Sequence, residues 1–234
     1  MDAELEKSLV FSHRQEAIFN AIWPVVLALG SCIRPGHEWQ TTLIKSIHIL
    51  RQLDDFVAHG PRGSLKDLPG LTMALTKYWK GCKNPISFDL HHLPETDVLQ
   101  RWKNLNSLLA RLPGDDSIFF IRLGLGQLKR ALEFTLAEPD SHMPLTECKI
   151  WTGTEWIIHC GRRIFKALTS KDSPGKTIPI PGLLRHYVPK QSLERWEFWK
   201  ERLTQIAGEY PTTAGRIQQA LDAMKEAEQE NKET

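Results

Sequence analysis

Apolar residues recur along this chain at steps of three and four, the spacing that places side chains on one face of an α-helix. The clearest run of this kind is Trp39, Leu43, Ile47, Leu50, Asp54 and Val57. No segment alternates between apolar and polar residues as a half-buried strand does. The pattern predicts an all-α protein, a single domain over residues 1–234 built as an irregular bundle of about eight helices.

Capping residues and prolines mark where several helices begin and end. Ser12 and Gln15 form a capping box, which predicts that the first helix begins there, and Pro24 is expected to kink or divide that helix. Ser192 is predicted to cap a later helix. Three segments are expected to fray or to be mobile: 1–11, 226–234 and 170–189.

Two segments indicate how the helices pack. The most apolar one, residues 118–134, is predicted to be the central and most buried helix. Gly153 and Gly161 lie inside a later helix, where a glycine costs about 1 kcal/mol, so we expect another backbone to pack closely there. Gly124 and Gly126 lack the third glycine and the preceding strand of a dinucleotide site, and are interpreted as helix-packing residues.

Charge, apolar runs and cysteine spacing exclude several classes of protein. With 30 basic and 28 acidic side chains, the net charge is +2, so the chain lacks the basic excess typical of nucleic-acid-binding proteins. The longest apolar run, residues 21–30, is shorter than the ~20 residues that span a bilayer. The four cysteines form no metal or disulfide pattern. We therefore expect a cytoplasmic protein with reduced thiols and without a metal or organic cofactor.

Two motifs resemble phosphate or magnesium sites, but each lacks an essential residue. Gly175-Lys176-Thr177 matches the end of a phosphate-binding loop, yet Ser170 stands where the first glycine is required. Asp54-Asp55 begins an aspartate-rich magnesium motif like that of terpene cyclases, but Ala58 replaces the last acid. Neither motif is predicted to bind its usual ligand.

Two sets of polar residues admit both a structural and a catalytic interpretation. Asp54 lies on an apolar helix face. It either pairs with another buried group in a structural role, or lines a cavity as an acid or base. Glu155, His159 and Arg162 share one helix face. Glu155 could orient His159 as a base, or the three could form an exposed charged stripe.

The eight tryptophans are spread over most of the predicted helices. Such large rings fill a core, and their N–H groups need acceptors when they are buried. The same rings could instead form the wall of a pocket for an apolar ligand. Core packing is expected for most of them.

Several segments resemble a family of filamentous-fungal proteins that is catalogued only as a domain of unknown function. The segments are Trp102 to Leu112 (WKNLNSLLARL), Arg130 to Glu133 (RALE), Trp156 with Gly161, and Ser192 to Lys200 (SLERWEFWK). The resemblance covers roughly residues 39–228. It implies a fungal, intracellular, helical protein and carries over no catalytic residue. Some members of such families belong to gene clusters for specialised metabolites, which favours small-molecule chemistry.

Two functional hypotheses follow. In the first, the protein binds an apolar small molecule in fungal specialised metabolism. A stronger form of this hypothesis is that the protein also converts the molecule by a cofactor-independent cyclisation, isomerisation or hydration. Its predicted catalytic residues are Asp54, Glu133 and Arg195, and its predicted ligand-binding residues are Trp102, Asn104, Asn106, Trp156, Trp196 and Trp199. In the second, a non-catalytic helical surface binds a protein partner or forms a homodimer. The sequence leaves open whether the chain is an enzyme.

Overall fold

The computed structural model describes residues 3–52, 68–81, 96–112, 118–136, 143–169 and 192–231. Within them the chain forms eight α-helices and no β-strand, which confirms the all-α prediction. The helices are α1 (Ala3–Cys32), α2 (Glu38–Gln52), α3 (Leu71–Gly81), α4 (Thr96–Arg111), α5 (Ile118–Leu128), α6 (Met143–Thr169), α7 (Leu193–Glu209) and α8 (Ala214–Glu230). A π-helical turn, Lys129–Glu133, follows α5 directly. None of these helices is long and apolar enough to cross a membrane. The predicted mobile loop at 170–189 lies outside the described residues.

The centre of the bundle is α6, and the prediction that residues 118–134 form it is wrong. α6 packs against α4, α5, α7 and α8 and buries 15 of its 27 residues. Its threonines tolerate burial because Thr152 donates a hydrogen bond to Cys148 O at 2.7 Å and Thr154 donates one to Ile150 O at 2.9 Å. α5 is more apolar but keeps one face partly exposed. Apolar composition alone therefore misidentifies the most enclosed helix.

The first helix extends beyond the bounds that its sequence predicts. α1 begins at Ala3, so Ser12 lies inside the helix and is not its cap. The helix also continues through Pro24, which does not divide it. Trp23 Nε1 donates a hydrogen bond to Pro69 O at 2.7 Å, which fixes this part of α1 against the residues that precede α3.

The last helix continues past residue 225, where fraying was expected, and ends at Glu230. Ala227 is buried in the core at this end of the helix. Glu228 Oε1 accepts hydrogen bonds from Trp196 Nε1 and Lys200 Nζ, both at 2.8 Å. These contacts hold the final turns of α8 against α7.

The buried face of α2 is rotated from the predicted one. Trp39, at one edge of the predicted stripe, is 66% exposed. The buried residues of α2 are Gln40, Ile44, Ile47 and Arg51. Gln40 Nε2 donates to Asn104 O and Arg51 Nη1 donates to Leu112 O, both at 3.2 Å. Each of these backbone acceptors satisfies one donor of a polar side chain, which lowers the free-energy cost of burying this face.

Small residues allow α6 to approach its neighbours closely. A Cβ atom at Gly153 would lie only 2.8 Å from Ala131 Cβ, and one at Gly124 would lie 2.8 Å from Trp156 Cε3. The predicted close approach is therefore confirmed at Gly153, and the packing role is confirmed at Gly124. At Gly161 the nearest atom would be the backbone oxygen of Ala223 in α8, at 3.7 Å, so another backbone does approach there, at ordinary van der Waals distance.

Candidate functional site

Glu133 and Arg195 form a buried ion pair where the π-helical turn meets the start of α7. Glu133 Oε1 accepts hydrogen bonds from Arg195 Nε at 2.6 Å and from Trp199 Nε1 at 3.0 Å. Ser192 Oγ accepts a hydrogen bond from Arg195 N and caps α7 as predicted, which sets Arg195 in the first turn. The Arg195 guanidinium carbon also lies 5.0 Å from the centroid of the Trp199 ring. Three predicted site residues thus come together, and they bind one another in the core.

The two predicted asparagines connect α4 to its neighbours. Asn106 Oδ1 accepts a hydrogen bond from Trp156 Nε1 at 3.0 Å, and Asn106 Nδ2 donates one to Trp102 O at 2.9 Å. Asn104 Nδ2 donates to Ser31 O at 2.8 Å. Both side chains are almost fully buried. These bonds hold α4 to α6 and α1, a structural role that the helical spacing did not reveal.

The other predicted residues are distributed over the core. The Trp196 ring lies 6.3 Å from that of Trp199, and its Nε1 donates to Glu228 as described above. Trp102 packs in a separate small cluster with Leu99, Leu145 and Cys148. Asp54 lies outside the described residues, so its catalytic role stays a prediction.

Glu155 is a buried carboxylate with two basic partners. Its side chain accepts a hydrogen bond from Arg216 and lies 3.3 Å from His159 Nε2. Burial acts to raise the pKa of Glu155, but hydrogen bonds with His159 and Ser107 and the charge of Arg216 outweigh it and lower the pKa below the ordinary value. Arg162 pairs instead with Glu230 at 2.9 Å. The interpretation as an exposed stripe holds for Arg162 and is wrong for Glu155, which is 4% exposed.

Two of the thiols are buried and protonated. Burial raises the pKa of Cys148 to about 11 and that of Cys160 to about 12. Cys160 Sγ donates a hydrogen bond to Ala110 O at 3.0 Å. Neither thiol is therefore a nucleophile at neutral pH. Among the described residues, no group of three or more histidine, cysteine or acidic side chains is arranged to hold a metal ion.

An open groove lies between α3 and the partly exposed face of α5, and we refer to it as the α3–α5 groove. Its volume is about 380 Å³, which falls within the range of about 300–1,000 Å³ usual for small-molecule pockets. Its apolar wall includes Leu75, Phe119 and Leu123. Its polar lining includes Arg122, Gln127 and Arg130.

One polar residue of the α3–α5 groove, Gln127, has a buried oxygen atom without a hydrogen-bond donor among the described residues. Gln127 is 2% exposed, and its buried Oε1 accepts no hydrogen bond from the described residues. Buried polar atoms in proteins are nearly always hydrogen-bonded, so a buried acceptor without a donor calls for an explanation. Sequence reasoning did not identify the residues of this groove. One signal was present, because Arg122, Gly126 and Arg130 follow at steps of four along the most apolar segment.

Comparisons with known proteins give one match. The model of a family described as "Protein of unknown function (DUF3632)" matches residues 23–203. This match overlaps most of the range, 39–228, over which the sequence resembles a domain of unknown function. No curated protein and no solved structure matches the chain.

Proposed function

Because the chain belongs to the DUF3632 family, whose function is unknown, we propose a function from the geometry: the protein binds an apolar small molecule in the α3–α5 groove. Gln127 in the groove lining carries this proposal, because its buried Oε1 has no hydrogen-bond donor among the described residues. An unsatisfied buried acceptor costs about 1–3 kcal/mol. When the Gln127 side chain turns toward the groove and accepts a hydroxyl or N–H hydrogen from the ligand, that free energy is recovered.

The shape and lining of the groove support the same proposal. Ligand pockets are usually concave and mostly apolar, with a few polar groups that orient the ligand. Leu75, Phe119 and Leu123 supply the apolar surface here, and Gln127 supplies a polar anchor. The resemblance to fungal proteins favours specialised metabolism as the setting of this binding.

Binding without conversion is the form of the hypothesis that we favour. Glu133 and Arg195, two of the predicted catalytic residues, bind each other in the core, and neither is among the groove-lining residues. A general acid or base has to reach the proton that it transfers. The conversion hypothesis consequently rests on Asp54 alone.

Two glycine substitutions provide a matched test. A Cβ atom at Gly126 would meet only Arg130 Nη1, at 3.8 Å, so we expect the side chain of Gly126→Leu to extend into the groove that Gly126 lines. Gly208→Leu also replaces a helical glycine, but in open space on α7. We expect 2-naphthol, a neutral fluorophore whose hydroxyl can donate to Gln127, to bind the wild type and Gly208→Leu equally, and Gly126→Leu at least about tenfold more weakly, in a fluorescence titration. Equal affinity for all three proteins would refute binding in the groove.

A second candidate function is homodimer formation through α1. Ile18, Ile22, Val25 and Leu29 form one stripe along this helix, and each is between 41% and 58% exposed. The segment 17–32 contains no charged residue. We propose a second copy of this chain as the occupant, because two uncharged faces can pair about a twofold axis without leaving a desolvated charge unpaired.

Sedimentation equilibrium tests the dimer. We expect a dimeric mass for the wild type and a monomeric mass for Ile22→Lys/Val25→Lys, since a buried ammonium group without a partner opposes association. Ile49→Lys, at an exposed isoleucine of α2, serves as the control and should remain dimeric. A monomeric wild type at high protein concentration would exclude this function.

A further inference from the structure

Two arginines line the α3–α5 groove without a carboxylate partner among the described residues. Arg122 is exposed and Arg130 is half-buried. Other buried or half-buried arginines have side-chain partners: Arg195 and Arg216 each bind a glutamate, and Arg111 binds Gln40 and Thr41. A partly desolvated guanidinium without a counter-ion is costly, because arginine stays charged at any relevant pH.

The position of Arg130 follows from the local backbone. α5 gives way to the π-helical turn at Lys129, one residue before Arg130. Gly126 carries no side chain, and Arg130 Nη1 lies 3.8 Å from the place where its Cβ would stand. The guanidinium therefore lies back along α5, beside the groove-lining Gly126. Burial also lowers the pKa of Arg130, which reflects the same loss of water around the group.

We propose, building on the function proposed above, that the ligand of the α3–α5 groove is an apolar carboxylic acid with a separate hydroxyl group. Arg130 binds its carboxylate, Arg122 adds a second positive charge to the groove lining, and the hydroxyl donates to Gln127. A guanidinium presents two parallel N–H donors that match the two oxygens of a carboxylate. The apolar body of the acid packs on Leu75, Phe119 and Leu123. The groove volume of about 380 Å³ suits a compact acid.

Two probes of the same size separate charge recognition from apolar binding. 2-Naphthoate and 2-acetylnaphthalene share one ring system and nearly the same shape, but only the first carries a negative charge. We expect calorimetry to show that 2-naphthoate binds the wild type about tenfold more tightly than 2-acetylnaphthalene does. That is the gain in affinity expected from one charge-assisted hydrogen-bonded pair. The Arg130→Met/Arg122→Met variant should bind both probes with the affinity of 2-acetylnaphthalene for the wild type.

The control variant is Arg101→Met, at an exposed arginine of α4 that does not line the groove. It should keep the full preference for 2-naphthoate. A wild type without that preference, or a preference that survives in the double variant, overturns the proposed carboxylate recognition.

The outcomes also distinguish this inference from the function on which it rests. If 2-naphthol binding depends on Gly126 while 2-naphthoate binds no more tightly than 2-acetylnaphthalene, apolar binding stands and the anionic ligand class is wrong. If neither naphthalene probe binds and 2-naphthol binding is insensitive to Gly126→Leu, both proposals are wrong.

Discussion

Glu133 and Arg195 form a buried ion pair in which Nε lies 2.6 Å from Oε1. Glu133 is the last residue of the π-helical turn, Lys129–Glu133, and Arg130 of the same turn lines the α3–α5 groove. The pair anchors this turn to the first turn of α7. Glu133 and Arg195 were predicted to be catalytic residues. In the structure their ion pair holds in place the π-helical turn that forms part of the groove.

Loss of this pair should strongly destabilise the fold. Glu133→Gln keeps the size of the side chain but removes the carboxylate charge that faces the buried Arg195 guanidinium, so we expect the free energy of unfolding to fall by about 3 kcal/mol in urea denaturation. The control is Glu197→Gln, at an exposed glutamate that pairs with the half-buried Lys200 at 2.9 Å. It should cost less than about 1 kcal/mol. Similar losses in both variants would show that the buried pair is not structural.

The two buried glutamines should respond in opposite ways to replacement by methionine. Gln127→Met removes an acceptor that has no donor, and we expect the free energy of unfolding to rise by about 1 kcal/mol. In Gln40, Oε1 accepts from Ser107 at 3.1 Å and from Arg111 at 2.9 Å. Gln40→Met leaves those donors unpaired and should cost about 2 kcal/mol. A clear loss of stability in Gln127→Met would show that Oε1 has a donor in the free protein beyond the described residues.

Two glycine-to-alanine variants test the close crossing of α6. At Gly153 the new methyl group would meet Ala131 Cβ, which cannot move without its backbone, so we expect a net loss of about 1 kcal/mol. At Gly208 nothing lies within 4 Å, and the lower entropy of the unfolded chain should add about 0.5 kcal/mol. Thermal unfolding would reveal the sign of each change. Stabilisation of both variants would mean that the helices separate more easily than the structure indicates.

The contribution of Glu155 should depend on pH with a defined sign. The pKa of Glu155 is lowered in the folded protein, so its ion pairs stabilise the fold above the unfolded pKa, and this stabilisation is lost as the pH falls through the folded pKa. Glu155→Gln should therefore be less stable than the wild type at pH ~6, and the difference should shrink below pH ~4. The groups facing Glu155 are His159 and Arg216. As a control, Glu230→Gln removes only the exposed pair with Arg162 and should show little difference at either pH. A constant difference for Glu155→Gln would refute the assignment.

Helical periodicity and capping chemistry were sufficient to predict the all-α class, the Ser192 cap and the close packing at Gly153. Each of these depends on residues close together in the sequence, so local physical rules apply. The π-helical turn was missed, because its hydrogen-bond pattern is set by packing against other helices rather than by residue spacing.

The candidate site depended on relationships that spacing cannot supply. Arg216 stands 61 positions from Glu155, and their contact appears only when α8 packs on α6. In the sequence Gln127 is an ordinary polar residue. Only the structure shows that its buried Oε1 has no hydrogen-bond donor among the described residues. Several charged and aromatic residues were predicted to line a pocket, but in the structure they pair in the core. Trp156 donates to Asn106, and Trp199 and Arg195 donate to Glu133.

The most direct test of the account is the location of a bound apolar probe. Intermolecular nuclear Overhauser effects can be measured between the naphthalene protons of 2-naphthoate and the methyl groups of the protein. The account predicts contacts to Leu75 and Leu123, which line the α3–α5 groove. Contacts only to Ile18, Ile22 or Val25, on the exposed face of α1, would contradict it.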